Sequence, residues 1–168
     1  MKKIIFAALI ALMTIGSSCD PVNNHEVPRY VVNIDLGNYA LWSTYGVTGL
    51  GDYRIFSRAR HLPSNFPYNA NVYTGYGGVL LMMGFDGITS SYVPIAYDTA
   101  CPVENQQDCN VGIDATTLEA VCPKCGSHYD VMMGGGGPIS GRALTYKYGL
   151  RPYTVRESKS GGYIISSN

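Results

Sequence analysis

Along this chain apolar and polar positions alternate with a period near two over several short stretches, and no stretch keeps a helical period over three turns. The series starts after Tyr30 with Val31, Val32, Ile34 and Leu36, continues with the apolar run 79–83 behind Gly77 and Gly78, and then with residues 92–97. Residues 92–97 alternate around Pro94, and the missing N–H of proline places that segment at a sheet edge or a bulge. Further short strands are predicted over 129–133, 143–148, 150–156 and 161–166, separated by glycine and proline turns. The pattern is that of an all-β fold, a small antiparallel β-barrel or a sandwich of paired sheets. Between the first two strands, residues 57–77 form a long segment rich in Pro, Asn, Gly and Tyr, headed by Arg54, Arg58 and Arg60. Loops of this length carry function or disorder, and Phe66, Tyr68, Tyr73 and Tyr76 favour a packed one. Trp42, the single tryptophan, is expected in the core, and one methionine of each pair Met82/Met83 and Met132/Met133 is expected to face inward.

The amino terminus has a different pattern. Lys2 and Lys3 precede an apolar run over residues 4–15, then Gly16, Ser17, Ser18 and Cys19, the order of a charged region, an apolar core and a small-residue cleavage site. Such a run falls short of the roughly 20 apolar residues that span a bilayer, so a removed signal peptide is expected over 1–18. A cysteine directly after small residues resembles the lipobox of bacterial lipoproteins, which implies lipidation of Cys19 and a membrane attachment that does not span. Residues 19–28, with two prolines and two adjacent asparagines, are expected to be a lipidated tether, and 29–168 the folded domain. An exported protein held at the bacterial cell envelope follows as the expected location. His25 and His61 are expected to be solvated.

Charge narrows the partners. The chain has 12 basic and 12 acidic side chains, and charged residues make up only 14% of it, which disfavours a charged helical bundle. Loss of Lys2 and Lys3 leaves acids in excess, so the basic field that binds phosphate backbones is missing and no nucleic-acid partner is expected. The scattered carboxylates give no acid–base pair or triad, so no catalytic centre is expected.

The chain has five cysteines. With Cys19 assigned to the leader, Cys101, Cys109, Cys122 and Cys125 remain, on two loops that each open with Cys-Pro and each follow a predicted strand. Two such loops can converge on one site. Four thiolates there can hold Zn²⁺ in a tetrahedron, hold an iron–sulfur cluster, or oxidise to two disulfides with no metal. Cys122-Pro-Lys-Cys125-Gly also has the spacing of a CxxC redox pair, which needs an accessible thiolate at a helix start.

Taken together, "GGVLLMMGFDG", "PIAYDTACPV", "AVCPKCGSHYDVMMGGGGPISGRA" and "GLRPYTV" resemble the Rieske family over most of the chain from Tyr30 to Ser166. The resemblance implies a Rieske-like all-β domain with a cluster-loop subdomain, a [2Fe-2S] cluster, and electron transfer with a redox protein partner. It assigns Cys101 and Cys122 to one iron, and Ser127 and Tyr129 to hydrogen bonds with the cluster and its cysteine sulfurs. The two positions at which the family has histidine ligands are Val103 and Cys125 here, and the proline of its covering loop is replaced by Arg142. Four-thiolate ligation, with Cys109 as a further ligand, is the iron form that these residues allow. A bridge between Cys101 and Cys122 is the disulfide that the resemblance implies. An electron carrier and a non-catalytic structural or interaction module therefore both stand as expected roles.

Overall fold

A computed structural model describes residues 21–133 and 135–168. The expected signal peptide and the lipidation site Cys19 lie outside the described residues. Among the described residues eleven strands make two antiparallel sheets. The larger contains β1 (Val32–Asn38), β2 (Tyr53–Phe56), β3 (Tyr73–Thr74), β4 (Val79–Asp86), β5 (Ser91–Asp98), β10 (Pro152–Glu157) and β11 (Gly161–Ser166). Their order is β2-β4-β5-β10-β11-β1-β3, and the sheet curls into a nearly closed barrel. The small all-β barrel expected from the alternating pattern is thus the fold. Between the outer strands the gap is spanned by Arg58, whose backbone N–H donates to Thr74 Oγ1 at 3.3 Å and whose Nη2 donates to Val72 O at 2.9 Å.

The smaller sheet is β6 (Gly112–Ile113), β7 (Ala120–Val121), β8 (His128–Tyr129) and β9 (Pro138–Ser140), and it carries the cysteine loops. The run 79–83 explains how the two sheets join. Its side chains alternate between two apolar clusters: Val79 and Leu81 fill the barrel with Ile34, Leu36 and Phe56, while Leu80 and Met82 face Tyr97, Cys101, Cys122 and Tyr129. A strand covered on both faces reads as an unbroken apolar run. Pro94 opposes Met83 in β4, and the β5–β10 pairing reaches only Ala96 and Tyr97, so the proline lies where β5 has a free edge.

Two short helices stand where none was expected. The first, α1 (Tyr39–Tyr45), starts at Asn38, whose side-chain oxygen accepts the Leu41 N–H at 2.8 Å, an ordinary N-cap. Trp42 sits on it, half-buried, with its ring 4.6 Å from that of Tyr163, so it borders the core rather than filling it. Removing the cap with Asn38→Ala is expected to lower stability by about 1 kcal/mol; an unchanged urea midpoint would show that packing alone holds the helix.

The second helix, α2 (Arg142–Tyr146), replaces the strand expected over 143–148. Gly141 at φ 75° turns the chain out of β9, Ser127 Oγ accepts the Ala143 N–H, and Lys147 in the left-handed region ends the turn with its N–H on Ala143 O and Leu144 O. The strand expected over 129–133 is also cut short, because Asp130 Oδ1 takes the backbone N–H groups of Met132 and Met133 and bends the chain. The long segment 57–77 is packed as expected: Phe66 is buried, with rings of Tyr45, Phe56 and Tyr68 edge-on at 5.0 to 5.1 Å. Part of the expected tether also lies against the domain. Val27 is fully buried and its carbonyl accepts from Arg151 Nε at 2.8 Å, whereas His25 is exposed. No helix among the described residues is long and apolar enough to cross a membrane.

Candidate metal centre

The first cysteine loop leaves β5 and is closed by a bridge between Ala100 and Asn110. Just inside that bridge the Cys101 N–H donates to Cys109 O at 2.9 Å, so two cysteines eight positions apart become neighbours at the neck of one loop. The second loop is the turn of the β7–β8 hairpin, where Cys122 N–H donates to Ser127 O at 2.9 Å and Gly126 N–H to Cys122 O at 3.0 Å. Gly126 takes φ 63° there, a conformation that suits glycine in so tight a turn.

The two loops meet sulfur to sulfur. Cys101 Sγ and Cys125 Sγ are 3.6 Å apart, and Cys109 Sγ and Cys122 Sγ are 3.8 Å apart. The Sγ atoms of Cys101, Cys122 and Cys125 all lie within 4.8 Å of one another and could hold a metal ion. No described pair is at the roughly 2.05 Å of a disulfide bond. Cys101 and Cys122 are fully buried, Cys109 is nearly so, and Cys125 is half-buried at the open edge.

Ser127 and Tyr129, expected beside the sulfurs, are both there. Ser127 Oγ accepts from the Cys125 thiol at 3.2 Å and from the Ala143 N–H at 3.0 Å. Tyr129 Oη lies 3.5 Å from Cys101 Sγ. His128 points elsewhere, with Nδ1 2.7 Å from Glu119 Oε2, and Val103 packs against the apolar side of the site. Arg142 is exposed and approaches Glu104 at 3.6 Å; Lys124 Nζ reaches the same carboxylate at 2.8 Å.

Burial pushes the Cys101 thiol up to about 12 and the Cys109 thiol up to about 11. Burial pushes Cys122 upward too, but the backbone N–H groups of Cys125 and Lys124 and the neighbouring thiols more than offset it, and its value falls below that of an ordinary thiol. A divalent cation bound there would favour the ionised form of the buried Cys101 and Cys109 thiols. Every donor is a thiol, and three of the four sulfurs stand close enough together to hold one ion, with Cys109 outside that group and joined to it through Cys122. Two histidines on a second iron have no counterpart here, so the donor set does not suit an ordinary Rieske centre.

Asp98 carries no metal-binding signal in the sequence, yet it shapes the site. It is fully buried, and its Oδ1 accepts from Gly77 N at 3.0 Å and from Ala100 N at 2.7 Å, fixing the residue before Cys101. Its Oδ2 accepts from Tyr76 N at 2.9 Å and from Tyr153 Oη. An aspartate bonding two positions ahead is a turn signal that the phrase Asp98-Thr99-Ala100 offered. No family model, no curated protein and no solved structure matches this chain.

Proposed function

We propose that this chain is an envelope lipoprotein whose barrel carries a structural tetrathiolate metal centre, with Cys101, Cys109, Cys122 and Cys125 around one Zn²⁺. The observation that carries the reading is the sulfur spacing. Four ligands at a Zn–S distance of about 2.3 Å stand on tetrahedron edges of about 3.8 Å; the two pairs are 3.6 and 3.8 Å apart, Cys101, Cys122 and Cys125 all lie within 4.8 Å of one another, and Cys109 would complete the set through its contact with Cys122. Ligands divided between two irons stand further apart than ligands sharing one ion. A bound Zn²⁺ would supply charge and cross-linking, with no redox change of its own. The chain's part is to present deprotonated sulfurs from two loops, exclude water from three of them, and stiffen the hairpin with the Ser127 and Tyr129 hydroxyls. In this reading the protein is a structural or interaction module tethered through Cys19.

A second reading keeps iron, a [2Fe-2S] cluster held by the same four thiolates and serving electron transfer. The hydroxyls of Ser127 and Tyr129 beside Cys125 and Cys101 favour it, since these are the hydrogen-bonding residues of the family that the chain resembles. Metal analysis of anaerobically purified protein, with absorption and EPR spectra, separates the two. One zinc per chain without visible colour is the expected result. Two irons with matching sulfide and charge-transfer bands would replace the zinc reading with the cluster, and metal-free protein without free thiols would sink both.

A further inference from the structure

A cleft of about 660 Å³ lies beside the candidate metal centre, between the long segment 57–77 and the first cysteine loop. Arg58, Arg60 and Tyr76 line it from one side, and Gln107, Asp108 and Asn110 from the other. Its size suits a small molecule. Neither arginine has a carboxylate within ion-pair distance among the described residues.

Arg60 is held in one pose. Its Nε donates to Ser57 Oγ at 3.2 Å, and its Nη2 donates to Gly77 O at 3.1 Å and Thr99 Oγ1 at 3.2 Å. Thr99 Oγ1 is tied in turn to Asn110 Oδ1 at 2.6 Å. Arg60 Nη1 has no hydrogen-bond partner among the described residues, and so this guanidinium keeps one edge with two N–H donors unfilled. Arg58 is spent on the loop itself, bonding Val72 O and Asn69 O while its guanidinium lies 5.4 Å from the Tyr68 ring centre. Burial lowers the Arg60 value, and Asp98 and Tyr68 partly restore it; a bound anion would restore it further.

Asp108 decides what kind of anion fits. A carboxylate in the same cleft repels a bare inorganic anion but accepts hydrogen bonds from hydroxyl groups, as the amide oxygens of Gln107 and Asn110 also do. Tyr76 adds an aromatic side chain, half-buried with its Oη on Asn105 O at 3.4 Å. We propose that this cleft binds a polyhydroxylated carboxylate of the sugar-acid class, with the carboxylate on Arg60 and the hydroxyls on Gln107, Asp108 and Asn110. None of these side chains is a proposed metal ligand, although Gln107, Asp108 and Asn110 stand on the loop that carries Cys109.

The test is an NMR titration of the isotopically labelled full-length protein with glucuronate, glucose and inorganic phosphate. Glucuronate is expected to shift the amides of Tyr76, Gln107 and Asn110 saturably. Glucose, which lacks the charge-assisted bonds, and phosphate, which lacks the hydroxyls, are each expected to bind at least about tenfold more weakly. Arg60→Gln should weaken glucuronate by a similar factor while leaving glucose unchanged. Because Arg60 also braces the loop, Ala59→Trp, which fills the cleft from an exposed position, supplies a second variant; it should abolish the response with an unchanged melting temperature. Absence of saturable shifts with glucuronate, equal binding of glucose, tighter binding of phosphate, or a response that survives Ala59→Trp would each overturn the proposal.

Discussion

Cys122→Ser is expected to reduce bound metal from one ion per chain to below about a tenth and to lower the melting temperature by about 10 °C. Cys122 is the pivot of the centre: it is fully buried, 3.8 Å from Cys109 Sγ and within 4.8 Å of both Cys101 and Cys125. Serine keeps nearly the same volume but is a poor ligand for a soft-thiolate site, so the loss is one of ligation rather than of packing. The effect should spread beyond the hairpin, because Leu80, Met82 and Tyr97 of the barrel pack on the same apolar cluster as the cysteines. Wild-type protein treated with a chelator should melt where the untreated variant does. A variant that retains its metal would sink the assignment. Melting that responds to a reductant and ignores chelators would instead support two disulfides, whose sulfurs would have to close from the present 3.6 and 3.8 Å.

Asp98→Ala should cost about 3–5 kcal/mol, from the orphaning of several buried donors at once. The Gly77, Ala100 and Tyr76 N–H groups and the Tyr153 hydroxyl all converge on this carboxyl, and no side chain beyond Cβ remains in alanine to replace it. Loss of the turn also frees the residue preceding Cys101, so weaker metal retention should accompany the drop in the denaturation midpoint. Burial pushes the Asp98 carboxyl above the ordinary carboxylate range, with the four donated hydrogen bonds pulling it part of the way back. A raised folded value means that the protonation-linked stability is fully present below the unfolded carboxyl pKa of about 3.9 and is lost as pH rises through the folded value. The gap between wild type and Asp98→Ala should accordingly widen when the pH is lowered into that window. A gap that closes on acidification would show that the folded protein prefers the carboxylate.

Strand positions were legible wherever a long alternating or apolar run faced a large neighbour. The runs 79–83, 92–97, 150–156 and 161–166 each lie largely within a strand of the barrel. The segment 143–148 fits a strand by its apolar and aromatic residues yet turns into a helix over Arg142–Tyr146. What decides it is Gly141, which would bring a Cβ within 2.8 Å of Ser127, and the Ser127 hydroxyl that takes the Ala143 N–H. Both contacts come from fourteen or more positions away, beyond the reach of local pattern. The seven-residue helix α1 was missed for a related reason: it is too short to show a period, and its buried contacts are with β1 and β11 rather than within itself.

By itself the amino-acid sequence determined the all-β class, the two Cys-Pro loops and the set of four thiols, because strand periodicity and residue chemistry are local properties. It also placed Ser127 and Tyr129 beside the sulfurs, through their positions in a phrase that resembles a known loop. Only the tertiary structure decided which sulfurs are neighbours, pairing Cys101 with Cys125 and Cys109 with Cys122 across the two loops. It alone brought Asp98 under the first loop and set Arg60 facing Asp108 and Asn110 across a cleft. Those relations depend on how the β5 exit and the β7–β8 hairpin pack into one apolar cluster. Distances between loops are fixed by that packing, and no spacing along the chain encodes them.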